Sequence, residues 1–258
     1  EGTVQVLAAE GKAYGMLFGT TYKRNESGQI IIDASGRPVV SPNKAYLGKY
    51  TPDWLGSINN SFSWKNFNLS FLVDANVGGS LFSVTNRYGQ FTGVLASTLP
   101  GRDAEHGGLS YYYPGNDNSK QAVALPEGAS SAPGGATIHE DGIIAEGVHE
   151  DGKENTTIIP AQDYYKTVRN VDAEYVYDAS YVKLREVKLG YQLPSDFIHR
   201  IGLQSATVAL VGRNLWIISK NTPNIDPENA FNTGNAQGLE HFAIPSVRSI
   251  GINLNLKF

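Results

Sequence analysis

The sequence reads as all-β and as part of an antiparallel up-and-down transmembrane β-barrel. Apolar and polar residues alternate with a period of two in runs of about ten residues, the length a tilted strand needs to cross a bilayer. Long and short connections take turns between these runs, as in a barrel whose tight turns lie on one side of the membrane and whose excursions lie on the other. The 14 Tyr, 10 Phe, 3 Trp and 28 Gly beside a single Met favour strands and turns. No run of about 18 apolar residues is present to cross a membrane as a helix.

The 258 residues suffice for one large domain or two ordinary ones. The chain opens on Glu1-Gly2-Thr3 with neither an initiator Met nor a charged-then-apolar leader, so a processed chain or a fragment is expected, the fragment being favoured. The absence of Cys removes disulfide scaffolds and Cys-ligated zinc. A net charge of -4, with no Lys/Arg cluster interleaved with aromatics, argues against nucleic acid as a partner.

The first alternating run sets Tyr14, Met16, Phe18, Thr20 and Tyr22 against the small residues Ala13, Gly15 and Gly19, and reads as a strand. Charge, Gly and Pro then dominate from Lys23 to Asp53, with short apolar pieces at Ile30 to Ile32 and Val39 to Val40, consistent with a long loop containing a small hairpin. A second run carries Ile58, Phe62 and Trp64 against Ser57, Asn59, Ser61 and Ser63. A third carries Phe67, Leu69, Phe71, Val73, Ala75 and Val77 against Asn68, Ser70, Asp74 and Asn76. Only Lys65-Asn66 separates the two, the length of a tight hairpin turn. Each arm, at roughly 3.3 Å per residue and a tilt near 45°, covers about 23 Å of membrane normal.

Alternation stops from about Arg87 to Val176, where Gly, Pro, Ser and acidic residues prevail, as in YYYPGND at Tyr111 to Asp117 and SSAPGG at Ser130 to Gly135. A stretch this long is either a separate small domain or an extracellular barrel loop. HEDG occurs at His139 to Gly142 and again at His149 to Gly152, too few copies for a repeat architecture. The next strand, from about Ser180 to Tyr191, changes parity: Val182 and Leu184 share one face, whereas Val187, Leu189 and Tyr191 share the other. Either a β-bulge or a strand whose upper part leaves the bilayer accounts for this.

Pro194 to Gly202 makes a short turn with room for one helical turn. A strand follows from Ala206 to Ile218, then a polar loop from Ser219 to Pro245. The last run sets Ile250, Ile252, Leu254, Leu256 and Phe258 against Gly251, Asn253, Asn255 and Lys257. That parity also fits a half-buried strand of a soluble sandwich, but a sandwich has no reason to keep the rhythm of long and short connections. About six spanning strands are expected, fewer than the eight or so of the smallest bacterial barrels, and unpaired edges cannot face lipid. The chain is therefore expected to be the closing part of a larger barrel.

Five stretches carry a family resemblance: YLGKYTPDWLGSINNSFSWKNFNLSFLVDANVGG from Tyr46 to Gly79, DASYVKLREVKLGYQLP from Asp178 to Pro194, GRNLWI from Gly212 to Ile217, NIDPE from Asn224 to Glu228, and the terminal PSVRSIGINLNLKF. In these and in their order the chain resembles the carboxyl-terminal part of the SusC/RagA family of TonB-linked outer-membrane transporters, along nearly its whole length. The resemblance implies a barrel of about 22 strands around an amino-terminal plug, of which residues 1–258 supply the closing strands, with residues 87–176 as a long extracellular loop and periplasmic short turns. It implies a SusD-like surface lipoprotein as a lid, energy from the TonB complex, and import of glycan oligomers, with peptides second. It also implies that Ile250, Ile252, Leu254, Leu256 and Phe258 face outer-membrane lipid and form the terminal strand read by the barrel-assembly machinery. No plug and no TonB box occur in these residues, so the TonB contact falls to a missing amino-terminal part.

No GxSxG, HExxH, P-loop or GxGxxG is present and the five His are scattered, so neither an enzyme activity nor a cofactor is expected. Glu140, Asp141, Glu150 and Asp151 of the HEDG copies are hard oxygen donors, but they lack the alternating spacing of a calcium loop and read as solvated acidic turns, with no metal. Tyr111, Tyr112 and Tyr113 offer flat faces for a sugar or a partner, or pack the loop against itself. Asp226 and Glu228 flank Pro227 in a turn, with ligand or partner contact as a second role. Lys183 and Arg185 sit on a strand, where charges belong on the lumen face or above the bilayer, as a polar path or a lumenal salt-bridge ladder. Trp64, Phe67 and Tyr191 mark one membrane interface. Two other classes stay open: a soluble secreted carbohydrate-binding module, which folds without detergent, and a passive porin-type barrel, which needs no TonB energy.

Overall fold

Five long antiparallel strands form one sheet: β1 (Trp54–Trp64), β2 (Phe67–Val77), β3 (Tyr181–Gln192), β4 (Ser205–Lys220) and β5 (Ser249–Lys257), each hydrogen-bonded to the next in that order. They belong to a computed structural model that describes residues 4–198, 202–229, 234 and 237–258. The chain divides into two units, Glu1–Gly48 with Phe82–Val176 and Lys49–Leu81 with Tyr177–Phe258, and all five strands lie in the second.

β1 and β2 close on the expected two-residue turn. Trp64 pairs with Phe67, Lys65 takes a left-handed φ of 50°, and its ammonium lies 4.9 Å from the centroid of the Trp64 ring. Asn66 ties this turn to the end of β3: Gln192 N donates to its carbonyl and its Nδ2 donates to the Gln192 carbonyl, both at 2.8 Å.

The parity change in β3 is a bulge. Leu184 stands opposite Val73 and Glu186 opposite Leu72, so Arg185 is the additional residue. Pairing to β2 is otherwise continuous from Tyr181 to Tyr191. Because the bulge absorbs one residue, Val187, Leu189 and Tyr191 return to the face that Val182 and Leu184 occupy. Register carries that face across the sheet, through Ile58 and Phe71 on one side and Leu210 and Ile252 on the other.

Through β2, β3 and β4 the apolar face is the more accessible one, Leu69 at 39%, Leu189 at 47% and Leu210 at 53%, whereas Lys183 on the opposite face is 2% accessible; in β1 and β5 both parities are accessible. A sandwich strand in water would bury the apolar parity instead. Among the described residues, β1 and β5 pair on one side only.

Five such strands are found where about six were expected. From the run at Tyr14 to Tyr22 only Met16–Gly19 is a strand, and it joins Gln5–Leu7 and Ala45–Lys49 in a separate three-stranded sheet. Leu17 is fully buried there. Asp172 Oδ2 accepts from Thr20 N at 3.0 Å, and Thr20 Oγ1 donates to the Asn170 carbonyl at 2.7 Å, which ends the run as a strand. An alternating run has the same period in a short sheet as in a spanning strand, and only its pairing partners tell them apart.

The first unit gives residues 87–176 a core of their own. Ile158–Pro160, Ile138–Ile144, Leu109–Tyr112 and Val123–Ala124 make a four-stranded sheet in that order, accompanied by helices α1 (Val84–Thr92) and α2 (Ala161–Val168). Ser83 Oγ accepts from Asn86 N at 3.0 Å to start α1, and Gly93 at φ 72° ends it in the left-handed conformation a glycine adopts without strain. Phe82, Val168, Val171 and Tyr175 are buried. The expected hairpin in the first long loop is present as bridges between Tyr22 and Val40, Arg24 and Ile30, and Ile32 and Pro38. In the second unit the expected turn after Pro194 is the helical segment Ser195–Ile198, with Ile198 packed on Leu203 and Ala206; residues 199–201 of that turn lie outside the described residues.

Candidate functional site

The polar parity of β3 and its bulge place Tyr181, Lys183 and Arg185 on the face opposite the apolar stripe, where Asp74 of β2 stands in register with Lys183. The segment after β4 folds back onto this face. Its turn is held by Asn229 N donating to the Asp226 carbonyl at 3.0 Å, and its approach by Lys220 Nζ donating to the Ile225 carbonyl at 2.7 Å. Lys183 Nζ then donates to Asp226 Oδ1 and, at 2.5 Å, to Glu228 Oε2. Arg185 donates to Asp74 Oδ2 through Nε at 2.8 Å and Nη2 at 2.7 Å, and through Nη2 to Glu228 Oε1. Tyr181 OH donates to the same Glu228 oxygen at 2.9 Å. Ser246 closes the cluster, donating to Asp226 Oδ2 from its amide at 3.2 Å and its hydroxyl at 2.5 Å.

Burial makes these bonds obligatory. An ammonium taken out of water loses several kcal/mol of hydration, and only well-placed carboxylates restore it. Burial also pushes the Asp226 carboxyl up, but the hydrogen bonds from Lys183 and Ser246 outweigh it and hold the group at about 2. Glu228 is likewise kept below the ordinary carboxylate range, burial being outweighed by Arg185 and Lys183. The arrangement is a charged latch that fixes a loop to the sheet, and it holds no reactive group.

Four residues singled out from the sequence as separate pairs, Lys183 with Arg185 and Asp226 with Glu228, therefore form one cluster. The oxygens of Asp226 and Glu228 accept from internal donors. Asp74, Tyr181 and Ser246 complete the cluster without having been anticipated. Asp74 was visible as the carboxylate on the polar parity of β2, and a cation on the adjoining strand needs such a partner.

The tyrosine triplet lies in the other unit. Strand alternation turns Tyr111 inward to 1% exposure. Its ring stacks on His139 at 5.1 Å and meets Tyr113 edge-on at 5.5 Å, and its hydroxyl donates to Asp141 Oδ1 at 3.0 Å. Burial, reinforced by that carboxylate, pushes the hydroxyl well above its ordinary pKa. Tyr111 is thus a core residue, and Tyr112 and Tyr113 are half-buried. The HEDG copies differ in setting, for Glu150 pairs with Lys23 at 2.6 Å and Asp151 with Lys153 at 2.7 Å. Among the described residues no group of three or more His, Cys, Asp or Glu is placed to hold a metal ion. Ile250, Ile252, Leu254, Leu256 and Phe258 share one parity of a strand exposed on both, with Ile252 opposite Leu210 and Leu254 opposite Val208.

No family model matches the chain. Three curated relatives from Formosa agariphila do: TonB-dependent receptor P3, 25% identical over 98% of this chain and 23% of its own length; P26, 25% identical over 88% and 19%; and P39, 22% identical over 91% and 18%. The chain spans about a quarter or less of the relatives it matches. Among solved structures it is similar to the RagAB peptide transporter, with a TM-score of 0.53 and 17% identity, covering 95% of this chain and 23% of that chain. It is also similar to the RagAB peptide importer in the open-open state, with a TM-score of 0.51 and 16% identity, covering 99% and 24%. The exposed apolar sheet with its polar, latched reverse face has the all-β antiparallel fold of these neighbours, and along nearly its whole length the chain is similar to a segment of TonB-dependent receptors.

Proposed function

We propose that this chain contributes wall strands and external loops to an outer-membrane importer of oligomeric nutrients. The observation that carries the reading is the exposed apolar face. The 11 residues of β1, at about 3.3 Å per residue and a tilt near 45°, span roughly 25 Å, the height of the lipid-facing band of an outer-membrane barrel. Trp54 and Trp216 stand near one end of that face and Trp64, Phe67 and Tyr191 at the other, all exposed or half-buried, as interfacial girdles require. Lys183, Arg185 and their carboxylates then face the lumen, and the stripe from Ile250 to Phe258 faces lipid and is the strand offered to the barrel-assembly machinery.

In this reading residues 87–176 form an extracellular excursion that helps seat a SusD-like lipoprotein, and the TonB complex supplies energy through a plug outside these residues. The cargo expected from the family resemblance is a glycan oligomer. A peptide is the second reading, favoured by the likeness to structures described as a peptide importer.

The test is uptake of a labelled glycan oligomer and a labelled peptide by cells carrying the full-length protein, with and without a functional TonB complex, together with co-purification of a surface lipoprotein. Energy-dependent uptake of either cargo with a co-purifying lipoprotein is expected. Uptake that persists without TonB would replace this reading with a passive porin.

A further inference from the structure

The segment leading into β5 is fastened in place with its apolar side chains outward. Ala243 N donates to Glu240 Oε1 and Asn229 Nδ2 to the Ala243 carbonyl, both at 3.2 Å. Ser246 is tied to Asp226 through its amide and its hydroxyl, and Asn214 Nδ2 donates to the Val247 carbonyl at 3.2 Å. Phe242 takes a left-handed φ of 52°, which a bulky residue adopts only where its surroundings impose it. Beside these anchors Phe242, Ile244 and Val247 are all exposed, Ile244 at 85%. A slack loop turns such side chains inward; this one is held from doing so by the bonds at Ala243, Ser246 and Val247.

Lipid does not reach them. Counted up from Phe258 at about 3.3 Å per residue and a tilt near 45°, the apolar band of roughly 25 Å ends near Arg248, an exposed cation. Val247, Ile244 and Phe242 lie beyond it, among headgroups and water, where only protein can cover an apolar side chain. β5 pairs with β4 alone among the described residues, and an unpaired edge cannot stand in lipid. Five strands are too few to close on themselves, so a further wall strand lies along that edge. It leaves the bilayer beside Ser249, adjoining the fastened segment.

We propose that Phe242, Ile244 and Val247 make an apolar rim contact, above the bilayer, with the outer end of the wall strand that completes the free edge of β5. The occupant belongs to the same protein, outside residues 1–258, and presents apolar side chains at that height. The contact rests on the barrel reading of β5 and is independent of the cargo and of the surface lipoprotein.

The experiment is labelling of single cysteines by a membrane-impermeant maleimide, in cells that carry the otherwise cysteine-free full-length protein and lack a partner lipoprotein. I244C and V247C react about tenfold or more slowly than V94C, an exposed position of the first unit, and match it once the protein is unfolded. F242C serves where either variant fails to assemble. Lipid shields I252C if β5 is a wall strand, so fast labelling of I252C refutes the barrel reading and the rim contact with it. Slow labelling of I252C with fast labelling of I244C and V247C overturns the rim contact alone. Protection that appears only when the lipoprotein is restored also overturns it, and assigns the patch to the lid.

Discussion

Lys183 on β3 donates to the carboxylate of Asp226, 43 residues further along, and both side chains are almost completely buried. The pair closes a loop onto the sheet, because neither charge is tolerable without the other once water is excluded.

Replacing Lys183 by Met removes the cation and leaves Asp226 buried and uncompensated. The expected cost is roughly 3–5 kcal/mol, read as a lower unfolding temperature in detergent and faster proteolysis between Ser219 and Pro245. The double variant K183M/D226N recovers part of the loss, since it no longer buries a lone charge. A K183M protein as stable as the parent sinks the latch.

The latch carries a pH signature. The Asp226 carboxyl is held at about 2, below its ordinary 3.8, and Glu228 is shifted in the same direction. A depressed carboxyl contributes stability that is fully present above the unfolded value and is lost as pH falls toward the folded one. Hydrogen-exchange protection of the segment around Asp226 is therefore flat from neutral pH to about 5 and declines between about 4 and 2. Loosening that begins at pH 6 contradicts the assignment.

Deleting Arg185 is predicted to be far worse than R185A. The deletion removes the additional residue, so Val182 and Leu184 rotate to the polar face and Lys183 to the apolar one. R185A keeps the register and loses only the bonds to Asp74 and Glu228. The measure is the amount of folded protein in the outer membrane, with R185A expected near the parental level and the deletion near zero.

Leu254→Arg places a charge on the exposed apolar face, which at mid-bilayer costs about 2–4 kcal/mol. Asn253→Lys, one residue away on the other parity, is expected to assemble normally. Assembly yields that do not separate the two variants argue against lipid on that face.

Tyr111→Ala removes a buried ring from the first unit and is expected to cost about 3–5 kcal/mol, whereas Tyr112→Ala, from a half-buried position, costs less. Thermal unfolding of the pair in detergent distinguishes a core tyrosine from a surface contact.

Most of the large sheet was legible because a strand's side chains alternate whatever surrounds it. Register, hairpin length and the apolar stripes of β1, β2 and β5 follow from that period alone. The bulge in β3 was half legible, since Leu184 and Val187 cannot share a face on a regular strand. The same locality explains the failure at Tyr14 to Tyr22, where alternation signals a strand but not which sheet receives it. The stretch from Arg87 to Val176 concealed its four-stranded sheet because its strands are short and its core is assembled from residues distant in sequence, such as Thr20 with Asp172.

By itself, then, the sequence determined the local period, the turn chemistry and a family resemblance, and with them the expectation of an antiparallel barrel wall. Tertiary structure alone decided which parity of β2 to β4 is exposed, that Arg185 is the bulged residue, and that Asp226 and Glu228 are partners of Lys183 and Arg185. The physical reason is range. Alternation and turns are set by neighbouring residues, whereas a buried charge is stabilised by whichever opposite charge the fold brings within hydrogen-bond reach, and no spacing along the chain encodes that.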